Sequence, residues 1–83
     1  MMTPTLHING TSRDELLDQL SVAGGKVMDA IEALTAAAPN GRDYYPQGPS
    51  ALSRAQSEHD ARIARLNTVL VELTDMAEAV ANS

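Results

Sequence analysis

Eighty-three residues allow one small domain, and a chain without cysteine can reinforce its core with neither disulfides nor thiolate-bound metal. The formal net charge of −5 disfavours duplex nucleic acid as a partner, yet a small anion needs only a local group of cations. His7 and His59 lie too far apart for a metal-ligand pair, and no apolar run is long enough for a membrane span.

Residues 1–10 read as an extended arm. Thr5-Leu6-His7-Ile8 alternates weakly, and Asn9-Gly10 closes it as a turn. One strand cannot satisfy its own backbone, so the arm is expected to pack along the helices through Leu6 and Ile8. Strand pairing between subunits is the alternative.

A helix is expected over residues 11–38. Two overlapping capping boxes open it, Thr11 with Asp14 and Ser12 with Glu15, and the acidic first turn suits the helix dipole. Leu17, Leu20, Gly24, Val27, Ile31, Leu34 and Ala38 recur at alternating spacings of three and four, as an amphipathic seam requires. Gly24-Gly25 interrupts this pattern and costs about 1–2 kcal/mol of helix propensity against Ala-Ala. Either a neighbouring helix approaches there or the pair is a tolerated weak point. Pro39-Asn40-Gly41 ends the helix.

Residues 39–49 form the connection, and they hold both aromatic residues, Tyr44 and Tyr45, in a chain with no Phe or Trp. Exposed rings held in a loop serve recognition more often than core filling. A second helix is expected over residues 50–81, capped by Ser50 or Ser53. Its seam runs Leu52, Gln56, His59, Ile63, Leu66, Leu70, Leu73, Ala77 and Val80, polar only near the loop.

The fold class is therefore all-α. We expect an arm (1–10) followed by an antiparallel two-helix hairpin (11–83), each helix approaching ~40 Å at 1.5 Å per residue. Two such helices cannot cover all their apolar stripes, so the hairpin is expected to oligomerise, at least as a dimer, into a helical bundle. Antiparallel pairing places Ala38 near Leu52 and Ile31 level with His59, with Gln56 and His59 facing inward beneath the loop.

That end gathers the candidate ligand-binding residues Asn40, Arg42, Asp43, Tyr44, Tyr45, Gln47, Arg54, Gln56, His59 and Arg62. Arginine offers a planar fork to phosphate, and tyrosine faces stack on bases for about 1–3 kcal/mol each. Asn40, Asp43, Gln47 and Gln56 suit ribose hydroxyls or base edges. The plainer reading has the tyrosines covering the bundle end, Arg42 and Asp43 capping helices, and Arg54, Glu58, Arg62 and Arg65 forming a solvated charge ladder. No nucleophile–base pair, metal cluster or glycine-rich phosphate loop is present, so no catalytic residue, metal or cofactor is assigned and a non-enzymatic role is expected.

Asn9-Gly10-Thr11-Ser12, then Ala38-Pro39-Asn40-Gly41-Arg42-Asp43-Tyr44-Tyr45-Pro46-Gln47-Gly48, then Ala55-Gln56-x-Glu58-His59-x-x-Arg62, resembles a family of small uncharacterised bacteriophage and prophage proteins. The likeness spans most of the chain and implies action in the cytoplasm of an infected bacterium, without implying an activity. In size, helical character and expected oligomerisation the chain is also similar to phage sponge proteins. Those are non-enzymatic helical oligomers that sequester cyclic nucleotide or cyclic ADP-ribose signals of bacterial immunity. That similarity implies a nucleotide-like ligand and a homo-oligomer that counteracts host defence. The alternative is a protein-interaction module whose loop docks on a host or virion protein.

Overall fold

The computed structural model describes residues 1–83 and is all-α: three α-helices and one 3-10 turn, with no strand. Helix α1 spans Arg13–Ala36, α2 spans Gly41–Tyr44, and α3 spans Ala51–Ala81; the 3-10 turn Tyr45–Gln47 lies between the last two. Ser12 caps α1, its Oγ accepting from the Glu15 amide at 3.2 Å, so the second of the two overlapping cap patterns is the one used. Ser50 occupies the cap position of α3 but makes no side-chain bond there. The α3 entry is instead closed by backbone, with the Ala51 amide on the Gly48 carbonyl at 3.3 Å and the Arg54 amide on the Ser50 carbonyl at 3.1 Å.

Helices α1 and α3 run side by side in opposite chain directions. Gly24 lies against Leu70 in the middle, Leu34 meets His59 toward the loop, and Arg13 donates to the Ser83 carbonyl at the far end. The register is about one turn from the expected one. His59 is level with Leu34 instead of Ile31, and it is Gly41, not Ala38, that lies beside Leu52. The extra reach comes from the connection, which is wound into α2 and a 3-10 turn and so draws Gly41 down onto α3.

The molecule measures 61 × 20 × 17 Å. An elongated shape of this kind has almost no interior, and only Val80 and His59 are buried. The remaining seam residues, including Leu17, Leu20, Val27, Ile31, Ile63, Leu66, Leu70 and Leu73, are half-buried between the two helices. The arm lies as coil ending in a turn, with the Gly10 amide on the His7 carbonyl at 3.0 Å. Leu6 is half-buried, whereas Ile8 is 98% exposed, so the expected packing of Ile8 is corrected. No helix is long and apolar enough to cross a membrane.

Candidate functional site

Asn40 organises the loop end. Its Oδ1 accepts from the Arg42 and Asp43 amides at 3.0 and 3.3 Å, and its Nδ2 donates to Asp43 Oδ2 at 2.9 Å. These bonds satisfy the first amides of α2, which is too short to hold itself together by propagation. The turn continues through Pro46 and ends at Gly48, whose φ of +104° lies where only glycine is comfortable. The result separates the two tyrosines. Tyr44 is half-buried against α3, and Tyr45 is 86% exposed.

Beneath Tyr44 is a recess of about 490 Å³. One wall is Ala36–Pro39, where a run of small side chains leaves space at the end of α1. Asn40, Asp43 and Tyr44 form the rim, and Ala55, Glu58, His59 and Arg62 come from α3. His59 is 7% exposed, and its Nε2 sits 2.7 Å from the Leu34 carbonyl oxygen. A carbonyl only accepts, so Nε2 carries the proton, and the bond fixes the imidazole plane at the bottom of the recess. The Leu34 carbonyl also accepts from the Ala37 amide at 3.0 Å, within the last turn of α1, where carbonyls run out of helical donors.

Arg62 and Glu58 form an i,i+4 pair at 3.9 Å with both side chains more than half exposed. Such a pair is worth about 0.3–0.5 kcal/mol, which leaves the guanidinium free to change partners. An adjoining smaller recess, about 220 Å³, is lined by Tyr44, Gln47, Ala51, Arg54, Ala55 and Glu58. A third, about 670 Å³ and mainly apolar, lies between Tyr44, Tyr45, Pro46, Pro49 and Leu52.

Five of the ten sequence-derived candidates thus surround one recess: Asn40, Asp43, Tyr44, His59 and Arg62. Gln47 and Arg54 border the adjoining one, and Tyr45 borders only the apolar third. Arg42 is exposed and borders none of them. Gln56 is a correction: it is exposed and off the seam, and Ala55 takes the inward place. A step of three residues from Leu52 and four to His59 brings the small side chain beneath the loop. Glu58, read as part of a solvated ladder, proves to line two of the recesses. Its signal was its position one turn before Arg62 and next to His59.

Charge is unevenly distributed. From Pro39 to Arg65 the chain carries Arg42, Arg54, Arg62 and Arg65 against Asp43, Glu58 and Asp60, while the rest carries Arg13 and Lys26 against eight carboxylates. The surplus of one positive charge in the first stretch rests on Arg65, near the midpoint of α3, and the recess itself holds Arg62 against Asp43 and Glu58. No protein-family model, curated protein or solved structure matches the chain.

Proposed function

We propose that this chain is a non-enzymatic binding protein of phage type, a self-associating two-helix hairpin that sequesters a nucleotide-derived immune signal of the cyclic nucleotide or cyclic ADP-ribose type. The observation that carries this reading is the recess under Tyr44, which combines an arginine, two carboxylates and an aromatic edge. Its volume of about 490 Å³ falls in the range of about 300–1,000 Å³ usual for small-molecule sites. A bare phosphate would be repelled by Asp43 and Glu58. A nucleotide is not, because its ribose hydroxyls donate to carboxylates while its phosphate meets Arg62 and, around the Tyr44 ring, Arg54. The base is left for the tyrosine face. Binding without turnover fits His59, the one buried titratable side chain, since its Nε2 proton is committed to the Leu34 carbonyl.

Calorimetry against a panel of cyclic dinucleotides and cyclic ADP-ribose isomers tests this. Saturable binding by at least one member is the expected result, and no heat across the panel at ligand concentrations up to the millimolar range overturns it.

The exposed face of Tyr45 beside Pro46, Pro49 and Leu52 favours a second reading, a loop that docks on a host or virion protein. Under that reading Tyr45→Ala abolishes capture of a stoichiometric protein partner while Arg62→Ala does not.

A further inference from the structure

No close contact within the single chain requires the glycine pair in α1. A Cβ added at Gly25 would meet nothing within 4 Å, and one at Gly24 would make an ordinary 3.7 Å contact with Leu70 Cδ1. Neither glycine is required by a close approach of α3, and neither has a positive φ. Yet each lowers helix propensity by close to 1 kcal/mol relative to alanine. What the pair creates is a notch in an outer groove of about 560 Å³, lined by Leu17, Leu20, Met28, Leu70, Leu73 and their neighbours, none of them charged. Met28, on the groove's edge, is 58% exposed.

We infer that this groove is the homodimer interface, and that a second copy of the chain docks there with its α1 crossing antiparallel to the first at Gly24-Gly25. Two features commit the groove to a second copy. The first is area. The chain exposes 6148 Å², whereas a compact monomer of 8.8 kDa exposes roughly 4,800 Å². The arm accounts for part of the surplus and the open helical faces for the rest. A contribution on the order of 1,000 Å² from each copy matches a stable homodimer.

The second feature is symmetry and charge. Gly24-Gly25 stands at the midpoint of the 24-residue α1, so a two-fold axis there overlays the whole of α1 on its counterpart. The same operation sets the arginine-bearing loop end of one copy beside the opposite end of the other. That end carries Asp14, Glu15, Asp18, Glu72, Asp75 and Glu78 against Arg13. A parallel dimer would stack the acidic ends on each other. The groove and the recess under Tyr44 share no lining residue, so the nucleotide panel reads the recess and the tests below read association.

Sedimentation equilibrium of the full chain is expected to give twice the 8.8 kDa monomer mass. Gly25→Glu brings two carboxylates together at the axis and is expected to weaken association at least tenfold while circular dichroism shows retained helix, because the position is open within the chain. Ala30→Glu, exposed, outside the groove and five residues from Gly25 (about 140° round the helix), is expected to leave the dimer intact. Orientation is read by disulfides, since the chain has no native cysteine. A mixture of Ser21→Cys and Met28→Cys chains is expected to form the mixed disulfide on mild oxidation, and Ser21→Cys alone little. A monomeric wild type, a Gly25→Glu chain that associates like wild type, or preferential Ser21→Cys self-linkage each overturns the inference.

Discussion

His59 and Arg62 stand one turn apart on α3 and do opposite work. His59 is buried and bonded to the Leu34 carbonyl, so it holds the two long helices in register near the loop. Truncating it leaves that carbonyl with the Ala37 amide as its one donor and opens space beneath Tyr44. His59→Ala is expected to lower unfolding free energy by about 1–3 kcal/mol, measured by urea titration at fixed protein concentration. Arg62 is exposed and paired only with exposed Glu58. Arg62→Ala is expected to change stability by less than about 0.5 kcal/mol. If Arg62 meets a ligand phosphate, the same change weakens nucleotide binding by roughly 10- to 100-fold, the equivalent of one charge-assisted hydrogen bond. Stability and binding therefore separate between two neighbouring side chains, and calorimetry on both variants reads the difference.

Among the three α-helices, α2 is the shortest, and it carries Asp43 and Tyr44 at the rim of the recess. It has four residues and little intrinsic stability, so the Asn40 side chain substitutes for the helical bonds it lacks. Asn40→Ala is expected to cost about 0.5–2 kcal/mol. Since α1 and α3 do not rest on that cap, far-UV circular dichroism should remain close to wild type while ligand affinity falls. A cap variant that binds with unchanged affinity would show that α2 does not position Tyr44 and Asp43. The two long helices are differently secured: their seams are half-buried along their whole length, and each depends on the other for that burial.

At the scale of the whole molecule, a rod of 61 × 20 × 17 Å with two buried residues lacks the interior that ordinarily supports a fold of this size. Its stability is expected to come in part from association, which makes the thermal midpoint depend on protein concentration by mass action. Scans over a hundredfold range of concentration are expected to show the midpoint rising. A constant midpoint would mean that the single chain is stable without a partner. The charge layout belongs to this scale too. The six basic residues are too few to neutralise eleven carboxylates overall, but four of them fall between Pro39 and Arg65.

The sequence by itself determined that the chain is all-helical and where its long helices run. Helical periodicity, the Ser12 cap and the Pro39-Asn40-Gly41 stop are local properties, and they act before any tertiary contact. It also marked the loop end as the chemically unusual region, because two tyrosines among prolines, glycines and charges are not needed to fill a core. Only the tertiary structure decided which candidates meet. Gln56 and Ala55 both satisfy a three-or-four spacing from Leu52, and packing against the end of α1 selected Ala55 for the inward place. Tyr44 and Tyr45 are equivalent in a string of letters, but the Asn40-capped turn directs the first toward α3 and the second toward solvent. The notch at Gly25 likewise became visible only when nothing in the same chain came near it, since whether a missing side chain leaves open space depends on the neighbours brought up by folding.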